Sequence, residues 1–330
     1  LWLTPALAGV PVPGQTAYVA NSVSGTVSVI DIDTNLVVDT IPLAGGPRDL
    51  AVSPDGTRVY VASRFPDAYI VIDAVTRSVL TTIAPPAGAE PEGVTLDPSG
   101  ANAFFANFAL GTVSVVSTTS NTITDTIDVG AGTGPLQLTT DDAGTRLYVS
   151  RFNDASVAVV DIESGSPTRF QVVDSLASGG LPSGLDAFDG LVAVANFGDG
   201  TVTNTDVDAM PPTSSTLGVG TGPQSVVWGD GLSGPPGFVA NFGSNSVTVF
   251  NGSTNMVEVT IAAVGGGMEA KPTDLAMTVD STRAYVTIDR APPAAGKVVA
   301  IDTGTRTLVP LPEIAVGVFP IAIAVGVAAP

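Results

Sequence analysis

The stretch Ser53-Pro-Asp-Gly-Thr-Arg-Val-Tyr-Val-Ala62 contains a turn and the strand that follows it. Pro54 presets φ and Gly56 tolerates φ > 0, so Ser53–Gly56 is a tight turn. The run led by Tyr60 carries the β-branched and aromatic residues of a strand. Upstream, Leu50 and Val52 alternate with small residues, three residues after Pro47. The same frame restarts at Pro91, Pro135 and Pro272, more weakly at Pro182 and Pro223, and last at Pro320. Successive anchors lie 41 to 49 residues apart. A period in the forties, with room for four short strands, is the signature of a propeller blade.

Each repeat reads as strands A to D. Strand A follows the anchor proline, and strand B is the aromatic-led Tyr18-Val-Ala, Tyr60-Val-Ala or Phe104-Phe-Ala. Strand C is Val27-Ser-Val-Ile or Val113-Ser-Val-Val, and strand D ends in Asp39-Thr-Ile41 or Asp125-Thr-Ile127. No helix is expected. Strands B, C and D recur seven times, from Tyr18, Tyr60, Phe104, Tyr148, Val192, Phe238 and Tyr285. The expected fold is therefore all-β, a seven-bladed β-propeller of four-stranded antiparallel blades over residues 17–330. Pro320, Ile321, Ile323 and Val325 form a C-terminal A strand that pairs with the N-terminal B–C–D set. Such pairing closes the ring and removes an open sheet edge.

Tyr18-Val-Ala-Asn21, Thr26-Val-Ser-Val-Ile-Asp31 and the stretch from Ser53 to Ala62 resemble the YVTN-type β-propeller repeat family. The resemblance implies a propeller and no particular activity. Similar repeats occur in archaeal surface-layer proteins, quinoprotein-associated dehydrogenase subunits, propeller lyases and nitrous oxide reductase. The copper enzyme's histidine ligands have no counterpart here. The resemblance also implies that the B–C loops lie on the face that commonly carries propeller ligands.

Composition narrows the chemistry. The 330 residues include 12 basic and 31 acidic side chains, a net charge of −19, with no histidine and no cysteine. Zinc, copper, haem and iron–sulfur ligation lose their usual ligands. Ser-His-Asp and Cys-His catalysis lose their base. No metal and no cofactor are expected. Nucleic acid is not an expected partner, because phosphate neutralisation by basic residues supplies most of that affinity. The uncharged run from Ile314 to Pro330 is shorter than the roughly 20 apolar residues of a spanning helix. It is also interrupted by Pro320 and falls in register with strand A, so no transmembrane segment is expected.

Residues 1–16 form an apolar tail in which Pro5–Val10 stands before Tyr18 as Pro47 stands before Tyr60. That makes eight A-like strands for seven positions. A surplus strand can pair with another subunit by strand addition, and head-to-tail donation builds filaments unless it closes into a ring. Leu1, Trp2, Leu3, Leu7 and Val10 would then supply the apolar specificity. The alternatives are a cap on its own propeller or a signal-peptide remnant ending near Ala6-Leu7-Ala8. Either way an exported protein is expected, extracellular or at the cell surface, with copies of itself or a surface protein as partner.

Phe65, Phe108, Phe152, Phe197 and Phe242 recur on the B–C loops, and Asn21, Asn107, Asn196 and Asn241 recur at the ends of strand B. They read as a ligand- or partner-clamping ring, or as interblade packing with Asn closing turns. Arg64, Arg151 and Arg290 form an anion site, or pair locally with Asp67, Asp154 and Asp289. Asp31/Asp33, Asp141/Asp142 and Asp206/Asp208 are fragmentary calcium candidates, more simply read as turn residues. Trp228 is expected to fill the core. Asn251-Gly-Ser253 is a glycosylation sequon. Three function classes follow: an exported structural or interaction propeller that assembles with itself, a ligand- or glycan-binding propeller, and a propeller enzyme of lyase or quinoprotein type. The first is preferred, because no unrepeated Lys, Tyr and Glu set stands out to act as a base.

Overall fold

The computed structural model describes residues 14–229, 235–266, 270–290 and 293–327, and contains no helix among them. The sheets are seven antiparallel blades arranged in a ring. Blade 1 combines the C-terminal Pro320–Val327 with Gln15–Asn21, Thr26–Asp31 and Leu36–Pro42. Strand A begins at Gly46 in blade 2, Pro91 in blade 3, Pro135 in blade 4, Pro182 in blade 5, Pro223 in blade 6 and Ala270 in blade 7. The ring thus closes as the sequence implies, with Ile323 opposite Val19 and Val325 opposite Ala17. Strand B of blade 1 starts at Gln15, two residues earlier than the expected boundary. The calls on Leu1, Trp2, Leu3, Leu7 and Val10 lie outside the described residues.

Burial follows the strand order. Strands B and C are buried almost throughout, whereas strand D is mostly exposed, as in Leu36–Pro42 and Gln171–Ala177. The apolar core is split into seven clusters, each shared by two neighbouring blades. Blades 7 and 1, for example, meet through Tyr285, Val298 and Ile314 against Val19, Ile30 and Ile323. Each such aliphatic side chain contributes about 1.5–3 kcal/mol on burial. No blade could bury its faces alone, so the ring is the stable unit. Trp228 is buried at the blade 5–6 junction, edge-on to Phe250 at 5.2 Å, with its indole N–H donating to the Asp186 carbonyl at 3.2 Å.

One irregularity repeats in every blade. The A–B pairing slips by a bulge directly beside the anchor proline. A bulge bends the strand and re-aims its side chains. Here it brings the residues after each proline to the central channel.

Candidate binding face

The anchor prolines set the register of one face of the ring. They pair with Asn21, Ser63, Asn107, Arg151, Asn196, Asn241 and Ile288. The four asparagines are fully buried. Each amide donates to two hydroxyls of its own strand C, as Asn107 Nδ2 does to Thr112 Oγ1 at 3.1 Å and Ser114 Oγ at 3.0 Å. Asn21 meets Thr26 and Ser28, Asn196 meets Thr201 and Thr203, and Asn241 meets Ser246 and Thr248 in the same way. The Oδ1 atoms of Asn196 and Asn241 accept the N–H groups of Gly179 and Gly220. Asn107 Oδ1 instead accepts the Tyr69 hydroxyl of blade 2, whose oxygen also lies 2.9 Å from Ser114 Oγ. Burial pushes the Tyr69 phenol up to about 12, so it stays a donor. Arg151 stands at an asparagine position and does the same work, its Nε donating to Ser156 Oγ at 2.8 Å. Asp154 lies 3.6 Å from that Nε.

The residues that directly follow these in the chain are Ser22, Arg64, Phe108, Phe152, Phe197, Phe242 and Asp289. Phe65 is therefore one residue out of the phenylalanine series, and Arg64 occupies the aromatic position in blade 2. Four of the rings are half-buried and pack across blades. Phe108 lies over Gly134 and 6.3 Å from Phe152, Phe197 lies over Gly222, and Phe242 carries the Lys271 ammonium 4.6 Å from its centroid. Phe65 is different, at 82% exposure on a left-handed backbone of φ 58°. It projects from the face instead of sealing a junction.

Arg64 fixes the base of that projection. Its guanidinium pairs with Glu90 and Glu92 of blade 3 and stands 5.1 Å from the Phe65 ring. Glu92 also pairs with Arg48 at 2.8 Å, so two arginines of blade 2 share one carboxylate. Arg64 therefore does not pair with Asp67, whose carboxylate accepts the Glu90 N–H at 3.0 Å. Arg290 is exposed at the end of strand B in blade 7.

Inside the ring, a channel of about 430 Å³ is lined by strand A of all seven blades. Asp49 accepts the Val94 N–H of blade 3 at 2.8 Å, and Asp274 accepts the Ile323 N–H of blade 1 at 2.8 Å. Four residues after its anchor proline, Asp186 accepts the Trp228 N–H of blade 6 at 2.9 Å. Burial pushes Asp49 up to about 7, helped by the negative charge of Asp274, and pushes Asp186 up to about 6. Burial raises Asp274 as well. Gly93 and Gly184 stand where the neighbouring strand presses in, and a Cβ at Gly93 would lie 2.4 Å from the Leu136 carbonyl oxygen. These residues escape consensus reading because strand A looks uniform. The usable signal is the second position after each anchor proline, which varies as Asp49, Gly93, Gln137, Gly184, Ser225, Asp274 and Ala322.

The paired acids singled out as calcium fragments serve local turns. Asp31 accepts the Thr34 N–H, Asp141 accepts the Thr145 and Arg146 N–H groups, and Asp206 accepts those of Asp208 and Ala209. Among the described residues no acidic group converges as a metal site. Asn251 closes strand C of blade 6, with its Oδ1 accepting the Ser253 and Thr254 N–H groups. No helix among the described residues is long and apolar enough to cross a membrane.

The family model described as YNCE-like beta-propeller matches residues 13–101. A comparison with curated proteins finds no match. Among solved structures, hydrazine synthase of Kuenenia stuttgartiensis superposes with a TM-score of 0.75 at 16% identity, covering 92% of this chain and 99% of that one. A functionally unknown protein from Desulfotomaculum acetoxidans gives 0.74 at 15% identity, covering 94% and 98%. The dihydro-heme d1 dehydrogenase NirN in complex with DHE gives 0.65 at 16% identity, covering 98% of this chain and 77% of that one. At such identities the likeness carries the architecture alone, and what the chain shares with all three is the β-propeller fold.

Proposed function

We propose that this chain is a non-enzymatic interaction propeller of the cell exterior, built on YVTN-type repeats, that docks on a protein surface through the face bearing Phe65. The carrying observation is the departure of blade 2 from the repeat. Where blades 3 to 6 turn a phenylalanine into a junction, blade 2 places Arg64 there and leaves Phe65 82% exposed. An aromatic held over a clamped arginine is the kind of rigid anchor that dominates protein interfaces. The amide nitrogens of the buried Asn residues, by contrast, are committed to hydroxyls of their own blades. Export is supported by a cysteine-free, acidic, lysine-poor composition.

A second copy of the chain is the first partner to test. All seven strand A positions are filled by described strands, and the sequence reads an eighth A-like stretch at Pro5–Val10. This supports strand donation to a neighbouring subunit, with filaments as the product. Negative-stain microscopy of the full chain and of a chain lacking residues 1–13 tests it. Filaments lost on deletion support donation, and single rings in both samples remove it.

The channel supports a second reading, as a small-ligand site. Asp49 and Asp274 face one lumen from blades 2 and 7, each raised by burial. A ligand screen by thermal shift, repeated on Asp49→Asn, separates that reading from docking at Phe65.

A further inference from the structure

The seven junctions are not sealed alike. Six blades end the C–D turn on a residue in the left-handed region, just before strand D: Asn35, Arg77, Asn121, Phe170, Asn255 and Arg306, with φ between 50° and 64°. At three junctions this residue reaches the leading aromatic of strand B in the preceding blade. Tyr285 donates to Asn35 Oδ1 at 2.7 Å, Phe104 meets Phe170 edge-on at 6.4 Å, and the Arg77 charge acts on Tyr18. Blade 5 has Pro212 at that place, and proline cannot adopt a positive φ. Its turn also runs over 207–212 where blade 1 uses 32–35, and Met210 points outward at 94% exposure.

Tyr148, the strand B aromatic that faces this turn, meets no such residue, although the left-handed Asn121 likewise leaves the Tyr60 hydroxyl without a hydrogen-bond partner. The Tyr148 side chain is only 3% exposed and lines a cleft of about 680 Å³ between blades 4 and 5. No hydrogen bond to its hydroxyl exists among the described residues. At the blade 2–3 junction, Arg58 crosses to the Thr118 carbonyl beside the buried Tyr60. The matching residue, Arg146, turns back to its own blade, donating to the Thr145 carbonyl at 3.1 Å and standing 3.6 Å from Asp161. Both junctions keep an open cleft, about 600 Å³ at Tyr60, and the one at Tyr148 is the one lined by several acids. Its rim carries Asp142, Asp174, Asp189 and Asp208, its walls are Val159, Leu176, Val192 and other aliphatic residues, and Arg146 is the sole base among the lining residues. Gly190 leaves room for the Asp208 carboxylate, since a Cβ there would stand 2.3 Å from Oδ2. The acids do not converge tightly enough for a metal ion among the described residues.

We propose that this cleft binds an organic cation: a primary ammonium on an aliphatic stem, with the stem against the apolar walls and the ammonium between the rim carboxylates and the Tyr148 hydroxyl. Burial, helped by the negative charges of Asp141 and Asp208, pushes the Tyr148 phenol up to about 12, so it remains neutral beside such a ligand. The ammonium gains charge-assisted hydrogen bonds, and the cleft-facing hydroxyl gains the protein-side partner it lacks.

Isothermal titration of the full chain at low ionic strength tests this with 1,5-diaminopentane and with N-acetyl-lysine-N′-methylamide. Saturable binding of either amine is expected, with neutral 1,5-pentanediol silent. The tighter of the two amines tells a free diamine from a lysine side chain. Asp208→Asn and Tyr148→Phe should each weaken binding about fivefold to tenfold, the scale of one charge-assisted bond. Asp125→Asn, an exposed acid on blade 3, should leave it unchanged. Absence of saturable heat, equal binding of the diol, or an equal loss in Asp125→Asn would overturn the proposal. Melting curves confirm that each variant is folded.

Discussion

The Asp274 carboxylate accepts the main-chain N–H of Ile323 at 2.8 Å, which ties the last blade to the strand that closes the ring. Asp49 holds Val94 identically between blades 2 and 3, and Asp186 holds Trp228 between blades 5 and 6. At these three junctions a channel side chain, and not only apolar packing, joins neighbouring A strands. Asp274→Ala strands the Ile323 N–H in a buried site and should cost about 1–3 kcal/mol. Asp274→Asn keeps an acceptor and should cost less. Urea unfolding of the two variants checks the order.

The same carboxylates make stability depend on pH. Their folded pKa values are raised, to about 7 for Asp49 and about 6 for Asp186, whereas in the unfolded chain they titrate near 4. Between those limits the folded state binds more protons, so stability is present in full below about pH 4 and is lost as pH rises toward 7. Asp55, Asp73, Asp161 and Glu313 are shifted down by local hydrogen bonds and by Lys297, so their contributions disappear in stronger acid. The melting temperature should therefore rise on acidification from pH 8 to pH 5 and fall below about pH 4. Asp49→Asn should flatten the upper part of that profile.

The interblade network around Asn107 gives a third outcome. Its amide satisfies Thr112 and Ser114 and receives the Tyr69 hydroxyl, while Tyr69 stacks on Phe105 at 4.0 Å. Asn107→Ala leaves a buried phenol short of a partner and should destabilise by about 2–3 kcal/mol. Thr122→Ala, on the exposed strand D, should change stability by less than about 0.5 kcal/mol. Differential scanning calorimetry distinguishes the two.

The ring was legible because each blade repeats the same turn chemistry, and because Pro320 falls in register with the other anchors. What the repeat hides is position within it. Phe65 reads as one of five equivalent aromatics until strand pairing shows Arg64 in that place. Asp49, Asp186 and Asp274 sit in strands recognised by their alternating apolar residues, and the bulge beside each proline turns them into the channel. The cleft at Tyr148 is bordered by one proline, Pro212, which stands out only beside six left-handed counterparts. Local sequence specifies strands and turns, whereas these sites arise from side chains that meet across blades.

The central claim is that the face bearing Phe65 docks on another protein surface, a second copy first. Sedimentation velocity of the full chain and of Phe65→Ala, over a concentration series at low and high salt, tests it most directly. The account predicts association that strengthens with salt, as screening relieves repulsion between chains of net charge −19, and that Phe65→Ala abolishes at unchanged melting temperature. A monomer at every concentration and salt level, or association unaffected by Phe65→Ala, would contradict it.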